Sequence, residues 1–327
     1  MFVRRTVLDG LFVSAKSDQT TTSKCMTMVG TMVRKIRGKY SGGFRTAYYR
    51  DRVRPRILKT APVGNTDDSS CEIHVLTSKE DWLNLVWASK SFYWTSGRQY
   101  ALCIHDDGSL GAEESDALRR QFPVARLVGR AEADRRMEAM LKDFPRCSEF
   151  RFSNHLAPKV FDFAAYLQSE RMLLLDSDVL FFSEPTELLR RIEDPEYRLN
   201  TFNEDDETAY VVDPERVALG FALQPRINSG LAVIQPAAIR LDWIEEFLAI
   251  PGMLGGHFWR IEQTLFALCA SRYGVELLPR EYTVRLDAGI NDSPMRHYVG
   301  AIRHLLYREG ISRLVRCGML ATQRGQS

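Results

Sequence analysis

The sequence lacks a long apolar run, since no window of 18 residues is uninterrupted by polar or charged side chains. A membrane-spanning helix needs about 20 predominantly apolar residues. The N-terminus, MFVRRTVLDGLFV, also has neither a sufficient apolar core nor a small-residue cleavage site for a secretory signal. These absences predict a soluble, cytoplasmic protein.

Cysteine is sparse and widely spaced. The chain has six cysteines and no C-x-x-C pair. Such spacing predicts neither a zinc site nor a dense disulfide framework. Reduced thiols are expected for all of them: Cys25, Cys71, Cys103, Cys147, Cys269 and Cys317.

Charge is distributed unevenly along the 327 residues. Residues 1–60 carry 14 Lys and Arg against three Asp, a net charge of +11, whereas the remainder has 30 basic against 39 acidic residues, or −9. The first 70 residues therefore read as a basic, partly disordered arm and linker. A second interpretation is peripheral contact of residues 1–60 with an anionic membrane, at its inner face. No motif supports nucleic-acid binding, so none is expected.

Beyond the linker, predicted strands alternate with predicted helices. Strands are expected at CEIHVLTS, QYALCIHD, 125–128 and RMLLLDSD, with helices at DWLNLVWASKSFYW, 113–121, 131–141 and HLAPKVFDFAAYLQ. This order predicts an α/β fold with a mainly parallel central sheet flanked by helices. Further on, YRLNTFN and RINSGLAVIQP are predicted strands, AAIRLDWIEEFLAI and HFWRIEQTLFALCASRYG predicted helices, and NEDDE and PGMLGG exposed or flexible loops.

Two aspartates, Asp176 and Asp178, follow the apolar run Met172–Leu175 and precede a second run, Val179–Phe182. Apolar residues on both sides predict a strand buried on both faces, with the acids at its carboxyl end. Open α/β sheets bind ligands at that end, and two such carboxylates can hold one divalent cation. A structural turn is the alternative, because D-x-D is also common where a strand becomes a loop.

Five short motifs, in one order, carry a resemblance to a known family. They are HVLTSKEDW, the D-x-D pair, NSGLAVIQP, Glu262-Gln263 and HYVGAIRH. Together they resemble the GT-A glycosyltransferases, most of all family 8, the glycogenin-like and bacterial galactosyltransferase-like enzymes. The resemblance implies a GT-A nucleotide-diphospho-sugar transferase domain at residues 71–305, after the arm and linker of residues 1–70 and before a C-terminal tail of residues 306–327.

For the metal, the resemblance implies that Asp176 and Asp178 bind Mn²⁺ or Mg²⁺ and that His297 is the third ligand. The cation in the family bridges both phosphates of a nucleotide sugar, here expected to be a UDP-hexose. It would stabilise the charge that develops when the nucleoside diphosphate departs.

For the donor, the resemblance places Leu76 and Thr77 along the nucleobase and Trp82 in a stacking position on uracil. The family more often has Tyr at the stacking position, and an apolar role for Trp82 in a core helix is the alternative.

The diphosphate is assigned in the same way to two basic residues and a glycine. The residues are Lys159, Gly300 and Arg303. Lys159 precedes Asp176 by 17 residues, and Arg303 stands where the family normally has lysine. Arginine keeps the charge and can bind phosphate through two hydrogen bonds.

For the reacting sugar, the resemblance points to Asn228, Ser229, Gly230, Glu262 and Gln263. Small residues allow a close approach of the backbone, and the Asn228 amide can hydrogen-bond sugar hydroxyls. Glu262 stands where the family usually has Asp, and its side chain is longer by one methylene group. A catalytic role for Glu262 and retention of the anomeric configuration are therefore implied only by the resemblance.

The expected function is therefore a metal-dependent glycosyltransferase that moves a hexose from a nucleotide sugar to an unidentified hydroxyl on a glycan, lipid or protein. Two alternatives remain. One is a non-catalytic GT-A-like domain that binds a nucleotide or glycan. The other is a haloacid-dehalogenase-like phosphatase, in which D-x-D supplies a nucleophile and a general acid, although there the motif normally ends the first strand.

Overall fold

The computed structural model describes residues 42–64, 68–213 and 219–322. Within these ranges the strands are β1 (Asp68–Thr77), β2 (Tyr100–Asp106), β3 (Arg126–Val128), β4 (Met172–Leu175), β5 (Val179–Phe181), β6 (Asn200–Glu204), β7 (Ile227–Ile234), β8 (Val275–Leu277) and β9 (Met295–His297).

The α-helices of the same ranges are α1 (Gly43–Tyr48), α2 (Trp82–Ser96), α3 (Ala112–Gln121), α4 (Arg130–Met140), α5 (Pro145–Ser153), α6 (Ala157–Tyr166), α7 (Thr186–Glu193), α8 (Leu241–Leu248), α9 (Phe258–Tyr273), α10 (Arg303–Leu305), α11 (Ser312–Arg316) and α12 (Met319–Thr322). Tighter or wider helical turns cover Tyr49–Val53, Arg54–Lys59, Pro236–Ala238, Met253–Gly255, Arg280–Tyr282, Gly300–Ile302 and Leu306–Ile311. Helices α5 and α7 were not predicted from the sequence.

Seven strands form the central sheet in the order β3-β2-β1-β4-β7-β6-β8. All neighbouring pairs are parallel except those made by β7, which runs antiparallel to both β4 and β6. The prediction of a mainly parallel sheet is confirmed. Because β7 is reversed, its first residues lie at the edge where β4 and β6 end.

The sheet is buried on both faces by two apolar layers. Along β4, Leu173 and Leu175 pack into one layer and Met172 and Leu174 into the other. Successive side chains of a strand point to opposite faces, so an unbroken apolar run matches a strand that is covered on both sides. This arrangement is the one expected from the residues that precede Asp176.

A second, two-stranded sheet pairs β5 with β9, and Val179 lies opposite His297. The backbone N–H of Tyr298 also donates to the carbonyl oxygen of Asp178 at 2.9 Å. This pairing carries residues from the far end of the chain to the strand that follows the two aspartates.

The domain extends further toward the N-terminus than the sequence indicated. Residues 43–59 are helical, and Val53 and Ile57 are buried in the same apolar layer as β1 and α2. The indole N–H of Trp87 donates to the carbonyl of Arg54 at 2.9 Å, and the buried Lys90 ammonium donates to the Thr60 hydroxyl at 2.8 Å. The arm assigned to residues 1–70 is therefore wrong for this segment. Residues 1–41 lie outside the described residues.

The predicted C-terminal tail, residues 306–327, is also wrong as far as residue 322. The segment is helical, and it buries Leu306, Ile311 and Leu314 in the layer that holds Val53 and Ile57. Apolar residues at these intervals cover one side of a helix. The many arginines around them obscured that pattern in both terminal segments.

Of the helices in the described ranges, none is both long and apolar enough to cross a membrane.

Replacement of Ile57 by Ala should lower the free energy of unfolding by about 2–5 kcal/mol, because it removes a fully buried side chain from a packed layer. Denaturant unfolding of the full chain measures the change. Leu58→Ala is the matched control, since the neighbouring Leu58 is only partly buried. Equal, small effects at both positions would contradict the packing of this segment.

Candidate functional site

A cavity of about 960 Å³ opens at the edge of the sheet where β1 and β4 end and β7 begins. Every residue predicted for the site lines this cavity, with the exception of Trp82 and Gly230. The topology thus brings together motifs that are more than 200 residues apart in sequence. This edge is where ligands bind in open α/β sheets.

Asp176, Asp178 and His297 form a compact group of potential metal ligands, with one ligand atom from each lying within 4.8 Å of the others. His297 Nε2 is 3.1 Å from Asp178 Oδ1 and 3.8 Å from Asp176 Oδ2. Asp176 is about a quarter exposed to the cavity, at 27% of its side-chain area, whereas Asp178 and His297 are buried. The predicted pair and its predicted histidine therefore meet.

The His297 ring is positioned by a hydrogen bond at Nδ1, the nitrogen that does not face the aspartates. Its Nδ1 lies 2.8 Å from Asn228 Oδ1, which also accepts the backbone N–H of Gly230 at 3.0 Å. A β-carbon at Gly230 would overlap the imidazole ring. Gly230 therefore provides the space that the His297 ring occupies, although Gly230 itself does not line the cavity.

Lys159 lies between two acids at the cavity wall. Its Nζ is 2.9 Å from Asp176 Oδ1 and 3.0 Å from Glu262 Oε1, and it donates to the carbonyl of Ser229 at 3.0 Å. Burial alone would lower the pKa of Lys159, but Asp176 and Glu262 outweigh it and raise the pKa. The side chain is thus an ammonium held by three oxygens.

Glu262 is fully buried and receives the Ser229 hydroxyl hydrogen bond at 3.0 Å. Burial raises the pKa of Glu262 to about 7, against the opposing effect of Lys159. A carboxyl group with such a pKa can bind or release a proton near neutral pH.

Arg303 approaches the aspartates from the other side. Its guanidinium donates to Asp178 Oδ2 and to Asp81 Oδ1, each at 2.6 Å. Asp81 also accepts the Asn84 amide at 3.0 Å, and Asn84 accepts from Arg54 at 3.0 Å. Asp81, at the start of α2, was not predicted for the site, although it positions the arginine that was.

Burial alone would raise the pKa of Asp178, but His297 and Arg303 lower it to about 2. For His297, burial opposes charge, and the surrounding acids Asp178, Asp176 and Asp205 nevertheless raise its pKa. Lys159, His297 and Arg303 thus each lie within 4 Å of at least one carboxylate of the cluster.

Sequence reasoning missed Asp205, which was assigned to the exposed NEDDE loop. Asp205 is buried, and its Oδ2 accepts the amide N–H groups of Asn228 at 3.1 Å and Gln263 at 3.2 Å. It directly follows β6, which runs in the same direction as β4. An acid after a strand is the signal that identified Asp176, and here it was overlooked because the next residues are polar.

Trp82, like Gly230, is a predicted site residue that does not line the cavity. Its side chain is half-buried against the apolar layer of α2 and β1. The alternative role considered for it, an apolar residue early in a core helix, describes this position. Leu76 and Thr77 do line the cavity.

The donor set of the cluster fits a hard divalent cation. Two carboxylates and one imidazole are ligands that Mn²⁺ and Mg²⁺ sites use. The second ring nitrogen of His297 is hydrogen-bonded, as is usual for a metal-ligating histidine. The space left by Gly230 is also what such a ring requires.

No family model matches the chain, and no curated protein matches it. Solved structures do. The galactosyltransferase LgtC, in complex with donor and acceptor sugar analogues, superimposes with a TM-score of 0.51 at 13% identity, over 78% of this chain and 97% of that one. An active-site mutant of LgtC gives a TM-score of 0.50 at 12% identity, over 75% and 95% of the two chains. Mouse xyloside xylosyltransferase 1 has a TM-score of 0.47 at 12% identity, over 71% and 98%.

The chain has the GT-A glycosyltransferase fold. The fold predicted from the sequence is confirmed. In this GT-A fold, the described residues place the acid cluster at the carboxyl end of β4 and line the adjoining cavity with residues of β1, β7 and α9.

Gly230→Ala should weaken Mn²⁺ binding about tenfold or more, because the added methyl group displaces the His297 ring from the two aspartates. Titration with Mn²⁺ followed by electron paramagnetic resonance measures the affinity. Gly129→Ala is the control, since a β-carbon there meets no atom within 4 Å. Unchanged affinity in Gly230→Ala would contradict the part assigned to His297.

Proposed function

We propose that the protein is a metal-dependent glycosyltransferase that transfers a hexose from a nucleotide sugar, a UDP-hexose, to a hydroxyl group of a glycan, lipid or protein. The observation that supports this most directly is the cluster of Asp176, Asp178 and His297 between two basic side chains, Lys159 and Arg303. It lies beside a cavity large enough for a nucleotide sugar, in a GT-A fold.

In this proposal, Asp176, Asp178 and His297 hold Mn²⁺ or Mg²⁺. When bound, such a cation acts as a Lewis acid toward the diphosphate leaving group. The carboxylates that now pair with Lys159 and Arg303 would then be engaged by the ion. The ammonium and the guanidinium are thereby available to phosphate oxygens, for which Arg303 offers two donors.

The nucleoside end is assigned to Leu76 and Thr77, which line the cavity at the end of β1. Gly300 lines the same region near Arg303 and leaves the backbone open to a phosphate. Stacking of Trp82 on uracil stays a prediction from the family resemblance, since its side chain is half-buried against the apolar layer and does not line the cavity.

The sugar end is assigned to Asn228, Ser229, Glu262 and Gln263. Glu262 and Gln263 lie on consecutive positions of α9, and the first reaches Lys159 while the second reaches Asp205. Buried and hydrogen-bonded, these groups can hold the reacting sugar in one orientation without solvent. Retention of configuration follows the family resemblance and is part of the proposal.

Phosphatase chemistry is less consistent with the structure. The aspartate pair follows the fourth strand of a GT-A fold, and both of its acids are paired with cations that suit a diphosphate.

A cytoplasmic location and contact of residues 1–60 with the inner face of an anionic membrane remain predictions. Sedimentation with anionic liposomes, with and without residues 1–41, would test the contact.

Asp178→Asn should reduce Mn²⁺-dependent hydrolysis of UDP-hexoses to the level measured without Mn²⁺, because an amide is a poor substitute for a charged ligand. Release of UDP in the absence of acceptor, measured over a panel of nucleotide sugars, reports both activity and donor choice. Circular dichroism establishes that the variant is folded.

The matched control for this experiment is Asp116→Asn, which neutralises an exposed acid on α3. Its UDP release should equal that of the wild type. Wild-type turnover in Asp178→Asn would contradict the metal assignment, and absence of UDP release from the wild type with every donor would favour a non-catalytic binding domain.

A further inference from the structure

A second group of potential metal ligands lies inside the sheet, formed by His74, Cys103 and His105. His74 is on β1 and the other two are on β2, where His74 is the register partner of Cys103. Cys103 and His105 are two positions apart, so their side chains leave the same face of the strand. The three side chains therefore converge on one face of the sheet.

Two of the three distances between the ligand atoms are within about 0.3 Å of those around a tetrahedral ion. His74 Nδ1 is 3.0 Å from His105 Nε2, which is 3.4 Å from Cys103 Sγ, and all three atoms lie within 4.8 Å of one another. Bonds of about 2.0–2.1 Å from zinc to nitrogen and about 2.3 Å to sulfur give tetrahedral edges of roughly 3.3 Å between nitrogens and roughly 3.6 Å between nitrogen and sulfur.

The group is fully enclosed. His74 and Cys103 have no exposed area and His105 has 2%. The Phe163 ring packs over both imidazoles, at centroid distances of 5.3 and 4.6 Å.

A buried carboxylate orients the first histidine. Glu72 Oε2 is 3.2 Å from His74 Nε2 and accepts the backbone N–H of Gln168 at 2.8 Å, while Arg126 binds the other oxygen. In the tautomer whose proton is on Nε2, facing this carboxylate, the lone pair of Nδ1 is directed toward His105. Carboxylate, histidine and metal in series are a recurring arrangement around protein-bound zinc.

We propose that His74, Cys103 and His105 form a structural site for a zinc-type divalent cation, separate from the cation of the donor site. Cys103 would bind as a thiolate, since a coordinated thiol loses its proton.

The ion would link β1 to β2 through His74, which precedes Leu76 by two residues on β1. Leu76 and Thr77 line the cavity of the proposed donor site. A softer cation is expected here than at the aspartates, because thiolate and imidazole ligands prefer zinc. The sequence predicted no zinc site because its ligands come from strand pairing, and no C-x-x-C spacing marks them.

The test uses full-length protein produced in medium that contains Co²⁺, since a buried ion must enter as the chain folds. We expect a thiolate-to-cobalt absorption band with the visible bands of tetrahedral cobalt, at an intensity that corresponds to one thiolate-bound ion per chain. Cys103→Ser should abolish the thiolate band. Cys147→Ser should keep it, because Cys147 is a buried cysteine on α5 outside the group.

Asp178→Asn should also keep the band, because the donor-site cluster contains no cysteine. Failure of either proposed site is therefore distinguishable from failure of the other. X-ray absorption of the zinc-loaded wild type should show one sulfur and two imidazole nitrogens around the ion, whether or not the Cys103 variant folds. A wild type without the thiolate band, or a band that survives Cys103→Ser, would overturn the proposal in favour of a hydrogen-bonded His-His-Cys network.

Discussion

The structure of the site depends on the neutralisation of two carboxylates at the end of a buried strand. Asp178 is almost fully enclosed, and an isolated charge there would be costly by several kcal/mol. Arg303 and His297 compensate it, while Lys159 compensates Asp176. Since such a cluster is stable only when each charge has a partner, the elements that carry the partners must converge on one point.

The chain topology produces that convergence. The reversed strand β7 delivers Asn228 and Gly230 to the edge where β4 ends, and the β5–β9 pairing brings His297 beside Asp178. The N- and C-terminal helical segments pack into the apolar layer that contains α2. There Arg54 donates to Asn84, which donates to Asp81, the acid that accepts from Arg303. The N-terminal segment thus belongs to the scaffold of the site.

The sequence predicted the parts of this arrangement that have a local signal. Apolar residues on both sides of Asp176 indicated a doubly buried strand, and the alternation of elements indicated the fold. His297 has no such local signal, and it was predicted as a site residue only because HYVGAIRH resembles a family motif. The packing of Ile57 was missed because arginines outnumber the apolar residues around it, and Asp205 was missed because the register of β6 is a long-range property.

The proposed function depends on the binding of a divalent cation by Asp176, Asp178 and His297, at the diphosphate of the nucleotide sugar. A crystal structure of the full chain with Mn²⁺ and UDP tests it most directly. We expect one anomalous manganese peak at ligand distance from these three side chains, with Lys159 or Arg303 in contact with phosphate oxygens. A nucleotide bound in the cavity without manganese at the three residues, or manganese bound elsewhere, would contradict it.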